Sequence, residues 1–342
     1  MEIKAIIRRV KMRRLLFVML LCVSFRPIHL LAEEQTISYT VNTVPSTKQV
    51  DTKKTYFDVK INPEESEELV VQVHNSSNTP VILSIDVETA KTNSNGVVEY
   101  GKYNGDYSKS LPFKVEDVVE YPSEVKVEAG ETKEIPFLVQ MPKSEYQGVV
   151  AGGITIQEKK DEQKQSESSM AINNEYSYQI ALVLHGKQSN VAPNLIFNEL
   201  QVGQKNYRNA FYMTLENQSL TYINQAKFKA KVSKNGKKLE LVNAEKDNIQ
   251  VAPSSMIKYP ILLGGNLLEN GIYDVELQVT SGENTWLYTK QIEVKKDQAS
   301  KLNKQDVTLE SRFPYRYLLI IVVIILGWAY YAKRKKGTES KF

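Results

Sequence analysis

Catalysis and metal binding draw on a short menu of side chains, and this chain offers that menu thinly. Its histidines are His29, His74 and His185, far apart in sequence, and its one cysteine is Cys22. There is no His-Glu-x-x-His, Cys-x-x-Cys, phosphate-cradling glycine loop, Gly-x-Ser-x-Gly or calcium loop. A lone histidine on a strand is far more often a surface or turn residue than a catalyst. The acidic run 63–68 sits at a strand start and reads as solvated, whereas glycosidase chemistry needs two carboxylates facing each other across a cleft. The expectation is a non-enzyme with no catalytic residues, no metal and no cofactor.

One constellation suits recognition rather than catalysis. Tyr100, Tyr103, Asn104 and Tyr107 fall within eight residues that also hold Gly101 and Gly105. Such rings could stack on sugar faces while amide and hydroxyl groups bond hydroxyls. The blander reading, a loop pinned to its own domain by its tyrosines, stands ahead of it.

The two ends say where such a surface would be displayed. Lys4, Arg8, Arg9, Lys11, Arg13 and Arg14 precede the apolar run Leu15 to Phe25, the pattern of a secretory signal over residues 1–32. Ala32 offers a small residue for cleavage, although Leu30 departs from the small-x-small rule. Cys22 follows Leu21 where a lipoprotein signal wants a small residue, which disfavours lipid attachment. At the other end, residues 317–332 are apolar and Lys333-Arg334-Lys335-Lys336 follows at once. That run is near the short end of the ~20 residues needed to cross a bilayer, and its basic flank reads as a stop-transfer signal with a cytoplasmic tail, 333–342. Arg312-Phe313-Pro314-Tyr315 stands where a wall-sorting signal would carry Leu-Pro-x-Thr-Gly, so the helix is expected to be retained.

Net charge over the 342 residues is +4, from 44 basic and 40 acidic side chains. Residues 1–32 and 333–342 together hold twelve of the cations and two of the acids, so the rest carries 32 against 38, a net −6. The basicity belongs to targeting and gives no support to nucleic-acid binding. A mature chain without Cys22 has no disulfide and must stand on apolar cores.

Between the ends the pattern alternates with period two. Leu69, Val71 and Val73, then Val81, Leu83, Ile85 and Val87, then Ile135, Phe137 and Val139 each alternate with polar neighbours. Asn95-Gly96 marks a tight turn, 125–139 reads as a hairpin across Ala129-Gly130, and the glycines of 149–156 suit a buried strand with close backbone approach. After the polar stretch 158–169 the grammar repeats: a strand over 178–184, Phe211 to Leu215 leading to Asn217 as Leu69 to Val73 leads to Asn75, an Asn235-Gly236 turn, and a closing hairpin over 271–294. The prediction is all-β: two immunoglobulin-like β-sandwiches in tandem, 33–157 and 170–296, with 158–169 as linker or long loop, 297–316 as stalk and one C-terminal transmembrane helix.

Short motifs along this frame carry a family resemblance. Tyr39-Thr-Val, Pro45, Gln49-Val-Asp51, Tyr56-Phe-Asp58-Val, Thr89-Ala-Lys-Thr-Asn93, Gly96, Tyr100, Met141-Pro142 and Gly148-Val-Val-Ala-Gly-Gly-Ile154 resemble the first domain of the WxL-interacting proteins of Gram-positive bacteria. Ile172-Asn-Asn-Glu-Tyr-Ser-Tyr178, Leu215-Glu-Asn217, Gly271-Ile-Tyr273 and Trp286 resemble the second. The resemblance implies a peptidoglycan-binding first domain and a second domain that binds WxL-domain surface proteins. Trp286 is followed by Leu287 and Tyr288, so the Trp-x-Leu signature of the partners is absent. The expectation is a single-pass cell-membrane adaptor, its bulk extracellular, with peptidoglycan, WxL-domain proteins and membrane as partners. An export or assembly chaperone and a cell-wall hydrolase are the alternatives.

Overall fold

The computed structural model describes residues 38–159, 176–188, 190–234, 240–309 and 323–328. The expected signal peptide, most of the polar stretch 158–169, the Asn235-Gly236 turn and all of the expected span except 323–328 lie outside these residues. Residues 323–328 are helical and exposed, and no described helix is long and apolar enough to cross a membrane.

Eighteen described strands make the chain all-β, and they build two bodies. In the first, β1 (Tyr39–Val44), β3 (Ser66–Asn75), β9 (Thr132–Gln140) and β7 (Val119–Glu120) form one sheet in the order β1-β3-β9-β7. The facing sheet runs β2-β11-β10-β4-β8, from β2 (Phe57–Val59), β4 (Val81–Thr89), β8 (Glu124–Val127), β10 (Val149–Glu158) and β11 (Ser177–His185). The alternation explains the layers: Leu69, Val71 and Val73 of one sheet and Leu83, Ile85 and Val87 of the other point into one core, with Phe57, Phe137, Ile154 and Leu182. Each such side chain, fully buried, contributes about 1.5–3 kcal/mol relative to exposure.

Two expectations change here. The stretch 125–139 is not a hairpin, because β8 pairs with β4 and β9 pairs with β3 and β7; the turn carries the chain from one sheet to the other. The strand expected to open the second domain, β11, hydrogen-bonds into a sheet of the first body. β11 pairs with β10 along nine positions, Val149↔His185 to Gln157↔Ser177, and runs parallel to β2 through Leu182↔Phe57 and Leu184↔Val59. Its apolar residues Ile180, Leu182 and Leu184 roof the first core. The hydrogen-bond ladders therefore divide the chain after β11, and the polar stretch connects two neighbouring strands of one sheet.

The second body pairs a sheet of order β12-β13-β16 with one of order β15-β14-β17-β18. These are β12 (Leu195–Lys205), β13 (Arg208–Asn217), β14 (Ile223–Lys234), β15 (Glu240–Val251), β16 (Met256–Leu262), β17 (Gly271–Ser281) and β18 (Asn284–Val294). Phe211, Met213, Phe228, Val232, Tyr273, Val275 and Leu277 fill its core. The closing hairpin forms as expected, with Ser281 opposite Asn284.

Each body carries the same asparagine clasp. Asn75, buried at the end of β3, donates its amide to Thr79 O, Val127 O and Glu128 O at 2.8, 3.1 and 3.0 Å. Asn217, buried at the end of β13, donates to Thr221 O at 2.8 Å and Ala252 O at 3.0 Å. In both, the side-chain oxygen accepts an amide N–H two residues on, from Ser77 and from Ser219.

The expected stalk is partly folded. Lys296–Gln305 forms a helix with Ala299 buried against the second core. Asn303 Oδ1 accepts from Asn209 Nδ2 at 2.9 Å, and the buried Asp306 carboxylate accepts from Asn209 N at 2.7 Å. The chain stays with this body through Thr308, where Val307 N donates to Tyr207 O at 2.9 Å.

Candidate functional site

At one end of the first body, the segment after β2 (Lys60 to Pro63), the segment after β9 (Met141 to Tyr146) and the end of β11 (His185 to Lys187) enclose a cleft of about 220 Å³. Its walls divide by chemistry. Ile61, Pro63, Met141, Pro142 and the Tyr146 ring supply apolar surface; Lys60, Asn62, Glu145, His185 and Lys187 supply polar groups.

The scaffold holds these groups firmly. Tyr146 OH donates to Leu184 O at 3.0 Å, Lys187 N donates to Tyr146 O at 3.0 Å, and the ring meets Phe113 edge-on with centroids 5.4 Å apart. Burial pushes the Tyr146 hydroxyl well above its ordinary pKa, so it remains a neutral donor. At the surface Lys187 Nζ pairs with Glu145 at 3.0 Å, a solvated contact of little energetic weight.

Behind the cleft lies a buried charge. Asp58, 2% exposed, contacts His185 Nε2 at 2.5 Å and Lys54 Nζ at 2.6 Å. Burial pushes its carboxyl up, but the bonds from Lys54 and His185 outweigh that and hold it below its ordinary value. The same contact with Asp58 raises the Lys54 pKa. The Asp58 carboxylate, held by Lys54 on one side, orients the His185 ring at the cleft wall on the other. Neither histidine nor aspartate stood out in the sequence, because β2 and β11 lie more than a hundred residues apart and meet only through their parallel pairing. Among the described residues no group of His, Cys, Asp and Glu side chains gathers as a metal site would need.

The tyrosine loop lies elsewhere, along a seam between the bodies. Tyr100 OH and Tyr222 OH lie 3.2 Å apart, and Tyr107 bridges Ser255 by backbone pairing. Lys91 and Lys114 stand over the Tyr107 ring at 4.8 and 5.7 Å. Burial raises the hydroxyl pKa of Tyr100, Tyr107 and Tyr222. Tyr103 is half-buried and Asn104 exposed. Two of the four residues are thus engaged between the bodies, and two sit towards the rim.

The seam itself escaped the sequence. Ser108 N donates to Ser254 O at 2.7 Å, Met256 N to Asp106 O at 3.0 Å, Val149 N to Leu220 O at 2.7 Å, and Gln250 N to Gly96 O at 2.8 Å. Ser108 Oγ donates to the buried Glu216 carboxylate at 2.6 Å. These paired buried groups favour one docking angle over others, because breaking the seam would leave them unsatisfied. Most of these bonds run through backbone groups, and the rest through scattered serine, tyrosine and glutamate side chains, so the seam leaves no periodic signal.

On the second body, β18 ends its sheet and presents a long row of exposed positions, including Leu287 at 61%. Trp286 and Tyr288 turn inward towards the core, and Tyr288 OH donates to Leu195 O at 2.5 Å.

Two packed-sheet bodies joined by a polar seam, one bearing a small cleft and the other a sheet whose last described strand is β18, define a two-domain all-β protein. The chain belongs to the WxL-interacting protein family. Residues 39–158 match the family model described as WxL Interacting Protein, peptidoglycan binding domain, and residues 167–304 match WxL Interacting Protein, host binding domain. No curated protein matches. Among solved structures, the Salmonella enterica SafA pilin in complex with the SafB chaperone is 13% identical, covering 75% of this chain and 98% of its own, with a TM-score of 0.30. The CsuC-CsuE chaperone–tip adhesion subunit complex of Acinetobacter baumannii is 16% identical over 59% and 86%, also at 0.30. The E. coli chaperone DraB is 15% identical over 69% and 94%, at 0.28. Likeness at that level carries no argument about function.

Proposed function

We propose that this chain is a non-enzymatic adaptor at the outer face of a Gram-positive cell membrane. It is anchored by residues 317–332 and built of two immunoglobulin-like sandwiches. The first body holds peptidoglycan, and the second holds WxL-domain surface proteins. The observation that carries this reading is that both halves of one family's binding pair fall on a single chain.

The cleft beside Tyr146 is the peptidoglycan site in this reading. Its apolar floor suits a sugar face or an alanine methyl, while Lys60 and Lys187 suit stem-peptide carboxylates. Tyr103 and Asn104 are further candidate sugar contacts at the seam rim. The β18 strand, last in its sheet among the described residues and bearing the exposed Leu287, is the surface for a partner protein. Because the second family model is described by host binding, a host protein is a second ligand to test on that same edge.

The test uses residues 33–309 in pull-downs with purified peptidoglycan and with WxL-domain proteins. Lys60→Glu with Lys187→Glu should weaken peptidoglycan retention roughly tenfold or more, the loss of about 1.4 kcal/mol or more, without touching partner capture. Leu287→Lys should do the reverse. Retention unchanged by both sets would sink the assignment of the two surfaces, and release of soluble fragments from peptidoglycan would sink the adaptor itself.

A further inference from the structure

The hairpin joining β12 and β13 has a two-residue tip, Asn206 and Tyr207, between the paired Lys205 and Arg208. Both tip residues have positive φ, 50° and 57°. Tight hairpins of this kind favour glycine at the second tip position, because a side chain there is strained. A tyrosine occupies it, 69% exposed, and nothing in the body's core needs its ring. Strain kept at an exposed aromatic calls for a use outside the fold.

Two more apolar side chains share that end. Val307, 68% exposed, is tied to Tyr207 by its backbone, and Leu267, 58% exposed, belongs to the loop whose Gly265 approaches Thr308 O. Leu268 N donates to Asn303 Oδ1 at 3.1 Å, which draws the same loop onto the helix Lys296–Gln305. Exposed Arg208 and Lys304 flank the group.

Chain length says what this end faces. From Leu309 to Tyr317, where the apolar run begins, is eight residue steps, at most about 29 Å even fully extended. Since the helix Lys296–Gln305 is packed on the body, no long stalk lifts this end away. A tyrosine, two aliphatic side chains and two cations form the combination that sits at a headgroup layer, aromatic ring at the interface and ammonium or guanidinium towards anionic phosphates.

We propose that Tyr207, Leu267 and Val307 form a foot that rests in the headgroup region of the anionic lipid membrane. The foot fixes the tilt of both bodies above the surface. This rests on the anchored reading given above, and deepens it: the membrane is a contact of the folded body as well as of the terminal segment.

The test places an environment-sensitive fluorophore on single cysteines in a Cys22→Ser background of the full chain, reconstituted in phosphatidylglycerol–phosphatidylcholine vesicles. Tyr207→Cys and Leu267→Cys probes should emit to the blue and be quenched severalfold more by spin-labelled lipid than a Leu287→Cys probe. Removing phosphatidylglycerol should shrink the difference. Tyr207→Gly should keep or raise Tm while reducing quenching at Leu267, whereas a ring needed for folding would lower Tm. Probes at 207 and 267 no more quenched than at 287, in chains that float with vesicles after alkaline carbonate, would overturn the proposal alone. Chains stripped from vesicles by carbonate would overturn the anchor, and the foot with it.

Discussion

Thr92 of the first body and Ser255 of the second meet hydroxyl to hydroxyl at 2.7 Å, both buried. The proton arrangement follows from their other partners. Ser255 Oγ donates to Ala252 O at 3.0 Å, and Thr92 Oγ1 accepts from Ala252 N at 2.9 Å. Thr92 must therefore donate to Ser255, and every hydrogen at this point of the seam is committed.

Replacing Thr92 by the isosteric Val keeps the volume and strands the buried Ala252 N–H. An unsatisfied buried donor costs about 1–3 kcal/mol. Thr92→Val should lower the denaturant midpoint of the whole chain or uncouple the two bodies into separate transitions, while Thr92→Ser should do neither.

Gly148 has φ +94°, and a Cβ built there would lie 2.0 Å from Leu220 O. Gly148→Ala meets both a strained backbone and a rigid carbonyl. It should push the bodies apart and raise the radius of gyration in X-ray scattering, with both cores still cooperative. Gly153→Val, by contrast, would press on Tyr100 O, 2.5 Å from the built Cβ. It should destabilise the first body itself.

Acid should loosen the seam. Burial pushes the Glu216 carboxyl up, but hydrogen bonds from Ser108, Asn198 and Gln218 and the charge of Lys109 hold it below its ordinary 4.5. A depressed carboxylate adds stability in full above that ordinary value, and the gain fades as pH falls through the lower folded value. Asp58 behaves likewise below its ordinary 3.8. Melting temperature should hold between pH 5 and 7 and drop below about pH 4. Glu216→Gln should flatten that drop, and an unchanged profile would remove Glu216 from it.

Cutting within residues 160–175 should leave the first body folded. β10 and β11 on either side are paired along nine positions, so the nicked pieces should co-purify until denatured. A fragment ending at residue 158 lacks Ile180, Leu182 and Leu184 from its core and should expose apolar surface or fail to fold. A fragment extended to 187 should fold.

The strands were legible because alternation writes burial directly into sequence, as Leu69, Val71 and Val73 show. The Asn95-Gly96 turn and the closing hairpin were equally local: Asn93 Oδ1 accepts from Asn95 N at 2.8 Å, and Gly96 takes φ +73°. Pairings between distant strands were not legible. β11 has the same apolar content whichever core it roofs, and its ladders with β10 and with Phe57 to Val59 decide. The helix Lys296–Gln305 hides because Ala299 and Leu302 are its only apolar residues, and polar Asn303 and Asp306 do much of the docking. The cleft depends on that same distant pairing, so His185 looked isolated until Asp58 stood beside it.

The strand that closes the first body arrives late, and that sets a schedule. A chain emerging N-terminus first presents residues 38–158 before 177–185, and for that interval β10 has one unoccupied edge while β2 awaits its neighbour. Closure must wait until residue 185 has emerged, by which time the start of the second body is close behind. A pause in emergence between residues 158 and 185 would therefore lengthen the period in which a half-built sheet is open to the wrong partner.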